Sequence, residues 1–184
     1  MLGMFHYRAL RKKVAKKLYE VAVNKAREPV FYQDYNVPDT VDGRYEMISL
    51  HTFLFIRRLN ALGRSKEAQS LFDVMFVIMD KSIREIGVGD LSVPKHMKRM
   101  MRGFKGRGFN YADALDTGDM GALKEAVIRN VFGTVKEPEP LDIEAVADYI
   151  MSADKALSNV AFEDLVNFEF PVIGNKVQEE QKRV

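Results

Sequence analysis

The stretch from Leu71 to Gly106 constrains the fold more than any other part of this 184-residue chain. Its first half is apolar on almost every side, which predicts a central helix that its neighbours bury. Asp73 and Asp80 interrupt that half seven residues apart, so they lie on one face of the helix. A Gly-x-Gly-Asp turn, Gly87 to Asp90, then breaks the helix. The next helix contains no acid and many cations: Lys95, Lys98, Arg99, Arg102, Lys105 and Arg107.

Apolar residues recur at three- and four-residue spacing in the other segments as well, and no segment shows sustained alternation. We therefore predict an all-α fold, a single compact domain of about six helices with a C-terminal acidic helical extension. A hydrophobic content of 47% is enough to bury a sizeable core. The predicted helices cover about 5–27, 41–62, 65–86, 93–108, 117–132 and 141–160.

Two prolines and several charges in the segment TVKEPEP mark a linker. It divides the chain into a helical domain, 1–135, and an acidic C-terminal segment, 136–184, which we expect to pack on the same domain. The last ten residues are polar and are predicted to fray. Residues 28–42 contain Pro29 and Pro38 and are predicted to form an ordered connection without regular structure.

Charge is distributed unevenly, although the formal net charge is only +2. Residues 1–28 are strongly basic, and residues 136–170 are acidic. An anionic partner such as RNA or a lipid surface fits the basic end. Alternatively, the first helix docks its apolar stripe on the core and leaves a solvated basic back, or the two ends attract each other.

The chain contains no cysteine, which excludes disulfides, thiolate zinc sites and iron–sulfur clusters. No apolar run approaches the roughly 18 residues of a membrane span, and basic residues interrupt the N-terminus early. We expect a soluble cytoplasmic protein, with a peripheral position at the inner membrane as the alternative.

Nothing in the sequence has the spacing of a catalytic or metal site. His6, His51 and His96 share no ligand spacing, and the P-loop, the dinucleotide fingerprint and the GxSxG elbow are absent. Haem held between two of these histidines would be the remaining alternative. We expect no enzymatic activity, no metal and no cofactor.

A structural polar network is predicted around the two acids of the central helix. Unpaired buried carboxylates are costly, so Asp73 and Asp80 should pair with arginines of the preceding helix. The alternative is a polar floor beneath a groove. If the acids are paired in the core, Asp80→Ala should cost several kcal/mol, because it strands the partner charge. The predicted network comprises Arg44, His51, Arg57, Arg58, Asp73, Asp80 and Asp90.

Methionines and cations on the helix after the glycine turn form a candidate binding surface. Met-rich faces adapt to varied apolar partners, although a stripe at helical spacing also suits a core. The candidate residues are Met97 and Met101 with Lys95, Lys98, Arg99 and Arg102.

Two long motifs carry a resemblance, VPDTVDGRYEMISLHTFLFIRRL and LFDVMFVIMDKSIREIGVGDLSVPKHMKRM. They are similar to the ubiquinol–cytochrome c chaperone family, in its alphaproteobacterial form, over about 27–132. The resemblance implies an all-helical chaperone that binds newly made cytochrome b, or another complex III subunit, and assists biogenesis of that complex. It also raises a ribosome as a partner, because mitochondrial members work beside the ribosomal exit site. The basic residues of the chain separately raise an anionic membrane surface as a partner, and we expect no DNA binding. On this hypothesis, charge reversal at Lys95, Lys98 and Arg102 should abolish capture of cytochrome b.

The alternative function is an RNA-, ribosome- or membrane-surface-binding helical module that uses the basic first helix. Binding that weakens steeply with salt, and that is lost when residues 1–20 are deleted, would distinguish it.

Overall fold

The computed structural model describes residues 2–174 of the chain, with side chains from Tyr7 onward. These residues form seven α-helices and no strand, which confirms the all-α prediction for this part of the chain. The α-helices are followed by a short 3-10 helix, Phe162–Asn167. They are α1 Leu2–Ala26, α2 Pro29–Gln33, α3 Val41–Ala61, α4 Ser65–Glu85, α5 Val93–Thr117, α6 Met120–Asn130 and α7 Pro140–Ser158.

Helix α3 lies at the centre, in contact with α1, α4, α5 and α7. Twelve of its 21 residues are buried, against five of 21 in α4. The prediction that α4 is the buried central helix is therefore wrong. The neighbouring helices cover only some of the apolar side chains of α4, since Val77 is 70% exposed and Ile78 is 39% exposed. Uniform apolarity in α4 reflects an exposed apolar surface rather than burial on all sides.

The local signals at helix ends are mostly confirmed. Thr40 begins α3, and its hydroxyl accepts a hydrogen bond from the backbone N–H of Gly43. Gly63 ends α3 with a φ of 70°. Ser65 does not cap α4, because it is already the first helical residue and the capping position is Arg64. Pro29 also behaves differently from expectation, since it occupies the first turn of α2, where its missing N–H costs nothing.

The three glycines of α5 leave the helix unbroken to Thr117. A Cβ at Gly108 would press against the Phe53 ring at 3.1 Å, so this glycine allows α3 and α5 to approach closely.

Helix α7 packs into the core against α3 and α6. Tyr149 and Ile150 are among nine residues that it buries. Its acids face outward or pair, except Asp142, which is buried and accepts a hydrogen bond from the Asn36 side-chain amide at 2.7 Å. The predicted frayed tail, 175–184, lies outside the described residues. No helix within 2–174 combines the length and apolarity needed to span a bilayer.

Candidate binding cleft

An open cleft of about 800 Å³ lies between α1, α3, α4 and α5 and reaches the end of α6. Its interior is predominantly apolar. The side chains of Tyr19, Ile48, Met79 and Met100 line it, and backbone and side-chain groups of 129–134 close one end. We call this space the cleft.

A close approach of backbone to backbone shapes one wall of the cleft. Gly43, in the first turn of α3, is buried, and a Cβ there would collide with the carbonyl oxygen of Pro38. Only glycine allows the 37–40 segment to fold over the start of α3 in this way. Val41 and Arg44, which lie close to Gly43 at the start of α3, line this wall.

An ion pair forms the floor of the cleft. Arg107 on α5 donates from Nη2 to Glu46 Oε1 on α3 at 2.5 Å, and the Glu46 side chain is only 10% exposed. The guanidinium also lies 5.8 Å from the Tyr45 ring centroid. Gly103, one turn earlier on α5, leaves the space that this guanidinium occupies. The pair therefore cross-links the two helices directly beneath the apolar lining.

Burial dominates the electrostatics of this floor. It raises the pKa of Glu46 from 4.5 to about 7, although the neighbouring Arg107 charge acts in the opposite direction. Burial also raises the pKa of Tyr45, whose hydroxyl donates to the backbone oxygen of Met100 at 3.4 Å. The floor is thus a poorly solvated polar patch within an apolar cavity.

Exposed apolar side chains form part of the rim. Val41 is 69% exposed, Ile86 is 64% exposed and Ile78 is 39% exposed, and all three line the cleft. Exposed apolar side chains on two helices that face one concave space are typical of a surface that a partner covers.

Helix α5 presents three different faces, and the predicted binding surface is divided among them. At 100° per residue, His96, Arg99, Met100, Gly103 and Arg107 share the face that lines the cleft. The core face carries Met97, which is only 7% exposed, and Met101, which is partly buried. The third face is exposed and carries Lys95, Lys98 and Arg102. The six residues therefore do not form one continuous surface.

The predicted pairing of Asp73 and Asp80 with arginines of α3 is wrong. Asp73 is exposed and accepts a hydrogen bond from the Gln69 amide at 2.7 Å. Asp80 pairs at 2.8 Å with Arg84, four residues later on the same helix. Arg84 also pairs at 2.5 Å with Asp90 of the glycine turn, whose side chain is 86% exposed. Both acids lie on the outer face of α4, where water and local partners solvate them.

The three arginines have other partners, and two of them reach partners that are distant in sequence. Arg44 pairs at 2.5 Å with Asp39. Arg57 pairs at 2.8 Å with both Asp116 and Asp154, and thereby joins α3 to α5 and α7. Arg58 donates two hydrogen bonds to the backbone oxygen of Val160. A polar network does surround α3, but the acids that pair with Arg57 come from the C-terminal half of the chain.

His51 is a structural residue of the core. Its Nδ1 lies 2.7 Å from the Met47 backbone oxygen, and its Nε2 lies 2.7 Å from the Tyr149 hydroxyl. A carbonyl can only accept, so Nδ1 carries the proton and the Tyr149 hydroxyl donates to Nε2. Burial lowers the pKa of His51 to about 4. Both ring nitrogens are occupied, and no group of three His, Asp or Glu within the described residues could hold a metal.

The fold and the cleft together define a class of structure: an all-helical protein with an open apolar cleft that contains a buried ion pair. Comparison with known proteins specifies that class further. The model of the ubiquinol–cytochrome C chaperone family matches residues 33–172, and the chain belongs to this family. The match continues well past 132, where the resemblance was expected to end. In the structure, α7 and the 3-10 helix contribute Ile150 and Leu165 to the same hydrophobic core as the preceding helices.

Relatives from several organisms are similar to the chain. The crystal structure of the Cbp3 homolog from Brucella abortus shares 35% identity and a TM-score of 0.77, and the match covers 94% of this chain and 97% of that one. The mitochondrial protein CBP3 of Saccharomyces cerevisiae is 28% identical over 80% of this chain but only 46% of its own length. Ubiquinol-cytochrome-c reductase complex assembly factor 1 of Xenopus laevis is 21% identical over 89% of this chain and 82% of its own. The chain thus spans about half the length of the yeast relative.

Proposed function

We propose that this protein is a non-enzymatic assembly chaperone of the ubiquinol–cytochrome c reductase, complex III, and that its cleft holds an apolar segment of newly made cytochrome b. The observation that carries the proposal is the cleft, which exposes apolar side chains in a chain of the ubiquinol–cytochrome c chaperone family. The name of the Xenopus relative, an assembly factor of the same reductase, supports the choice of complex.

The rim of the cleft favours an apolar client. Covering apolar surface contributes roughly 25 cal/mol per Å², so each exposed rim residue that a client buries adds to affinity. Val41 lies on α3, Ile78 lies on α4, and Ile86 lies at the end of α4. All three line the same cleft, so an apolar segment bound there could contact them together. The Glu46–Arg107 pair joins α3 to α5 within the same cleft.

Capture of cytochrome b by cleft variants tests this proposal. Val41→Gln/Ile86→Gln removes apolar rim surface without adding charge and should reduce capture from host extracts. Val77→Gln/Val172→Gln is the matched control, because these valines are 70% and 85% exposed and neither lines the cleft. Equal capture by both variants would overturn the cleft as the client site. Loss of capture by the control alone would move the site elsewhere.

The exposed basic face of α5 remains a separate prediction. Lys95, Lys98 and Arg102 project away from both the core and the cleft, so they are available to an anionic partner beside the client. Charge reversal at these three positions should weaken capture of cytochrome b if this face is part of the client site. Unchanged capture would restrict the client to the cleft.

A second candidate function follows from α1. Its exposed residues include Arg8, Lys12, Lys13, Lys16 and Lys17, beside the exposed Tyr7 and Leu10. A helix end of this composition fits RNA phosphates, a ribosomal surface or anionic lipid. Ribosome or vesicle sedimentation at increasing salt would test it. For this candidate we expect binding that weakens steeply with increasing salt. Lys12→Gln/Lys13→Gln/Lys16→Gln should abolish that binding at low salt.

A further inference from the structure

We infer that the cleft selects an apolar segment that carries acidic residues next to its apolar part, and that Arg27, Arg99 and Arg129 make the selection. The inference rests on the proposed function and adds to it the charge of the client. The evidence is the imbalance of charge around the apolar lining.

Positively charged side chains outnumber negatively charged ones in the lining of the cleft. Among the residues that the structure describes, five arginines line it, against two carboxylates, Asp42 and Glu46. The arginines come from α3, α5, the end of α1 and the end of α6, so the positive charge is not confined to one helix. They are Arg27, Arg44, Arg99, Arg107 and Arg129.

Two of the five arginines are neutralised within the chain. Arg107 pairs with Glu46 in the floor, and Arg44 pairs with Asp39 outside the lining. Asp42 lies in the first turn of α3, where the partial positive charge of the helix N-terminus offsets its own. These contacts account for both carboxylates of the lining.

The other three arginines have no such partner. Arg27, Arg99 and Arg129 are exposed, and no carboxylate in the part of the chain that the structure describes forms an ion pair with them. Arg99 has one contact, 3.2 Å from its Nη2 to Nδ1 of His96, which is also not an anion. The rim therefore carries three arginine charges beside an apolar cavity.

Such a rim discriminates between clients by the charge of their flanks. When an apolar segment fills the cavity, it displaces water and weakens the solvent screening of nearby charges. Carboxylates next to the apolar part of the segment would then receive charge-assisted hydrogen bonds from the guanidinium groups. Lysines at the same place would be repelled, because like charges juxtaposed at an interface are costly.

Binding of two synthetic peptides to the full chain tests the inference. Both contain the same apolar core of roughly 12 residues, about three helical turns. One ends in two glutamates and the other in two lysines. We expect the acidic peptide to bind about tenfold more tightly at low salt, a factor equivalent to the sum of a few exposed ion pairs. The preference should decrease as salt screens the exposed charges.

A pair of variants identifies the residues responsible. Arg27→Gln/Arg99→Gln/Arg129→Gln should bind the two peptides equally. Lys66→Gln/Lys81→Gln/Lys155→Gln removes the same number of charges from exposed positions outside the cleft and should retain the preference. Thermal unfolding of both variants checks that each remains folded.

The outcomes distinguish this inference from the proposed function. If both peptides bind wild type equally, and Val41→Gln/Ile86→Gln weakens both, the cleft binds apolar segments but the charge selection is refuted. If neither peptide binds, the proposed function itself fails. Binding of phosphatidylglycerol vesicles that requires the three arginines, without a peptide preference, would assign the rim to lipid and overturn the inference.

Discussion

The side of α3 that faces α7 and the side that faces the cleft differ in how closely other side chains pack against them. Toward α7, His51 is enclosed by aromatic rings: the Phe170 ring centroid lies 5.0 Å away and the Phe31 centroid 5.8 Å away. The Tyr149 ring packs against Phe31 at 5.2 Å and supplies the hydrogen bond to His51. Lys25 of α1 covers this cluster, with its Nζ 5.7 Å from the Phe31 ring centroid.

Toward α5, the same helix faces the cleft. Glu46 lies five residues before His51 and therefore on a different side of α3. Its partner, Arg107, is a charged residue rather than an aromatic ring, and the apolar side chains beyond it remain open to water. Around His51 the chain fills the side of α3 with its own aromatic residues, whereas around Glu46 the side of α3 faces the open cleft. Further along α3, Phe53 packs against Tyr111 of α5, with the ring centroids 5.8 Å apart, so only the first half of this flank is open.

The closed flank should be far more sensitive to truncation than the cleft. Phe31 is fully buried, and Phe31→Ala should lower the free energy of unfolding by about 3–5 kcal/mol, the usual cost of removing a buried aromatic ring. Val41→Ala on the cleft rim should change it by less than about 0.5 kcal/mol. Chemical denaturation of both variants measures the difference. Similar costs would mean that the rim is as well packed as the interior.

Substitutions in the floor of the cleft should cost an intermediate amount of folding stability, less than Phe31→Ala and more than Val41→Ala. Arg107→Ala leaves the mostly buried Glu46 carboxylate without its partner and should cost about 1–3 kcal/mol. Arg102→Ala, on the exposed face of the same helix, is the control and should be nearly neutral. Denaturant midpoints for the two variants compare them directly. A neutral Arg107→Ala would show that the ion pair contributes nothing to the stability of the fold.

The two flanks should respond to pH with opposite sign. Burial lowers the pKa of His51 from 6.5 to about 4, so its contribution to stability is lost as the pH falls through that window. The pKa of Glu46 is raised from 4.5 to about 7, so its contribution is lost as the pH rises from 4.5 through 7.

Unfolding midpoints measured from pH 4 to 8 separate the two effects. Glu46→Gln cannot ionise, so it avoids the loss of stability that wild type undergoes as the pH rises through 7. The variant should therefore gain stability relative to wild type with rising pH. Glu163→Gln, an exposed substitution of the same kind, should give a curve parallel to wild type. A Glu46→Gln curve that also stays parallel would refute the raised pKa of Glu46.

The smallest effect should come from the acid that the sequence pattern placed in the core. Asp80 lies on the outer face of α4 and is 39% exposed, so Asp80→Ala should leave the melting temperature almost unchanged. The larger losses expected of buried groups apply instead to the arginine–glutamate pair between α3 and α5 and to the aromatic cluster. A large loss for Asp80→Ala would contradict the exposure of this face.

Much of the fold was predictable because its signals are local. Caps, helix-ending glycines and apolar spacing predicted six of the seven α-helices, and Thr40 and Asp119 cap as their residue types suggest. The five-residue α2 was missed because Pro29 was taken to exclude regular structure, although proline suits the first turn of a helix.

The partners of charged residues were less predictable. Asp80 and Arg84 lie four residues apart on one helix, so a local rule would have found that pair. The partners of Arg57 lie 59 and 97 residues away, and only the packing of α5 and α7 brings them to it. The cleft had no sequence signature for the same reason, since it exists only where four helices meet.

Site-specific photocrosslinking tests the central claim, that the cleft holds the client, most directly. A photoreactive residue placed at Ile78 lines the cleft although only 39% of that side chain is exposed, whereas one at Val77 points outward at 70% exposure. We expect crosslinks to cytochrome b from position 78 and none above background from position 77. Stronger crosslinking from the more exposed position 77 would contradict the claim.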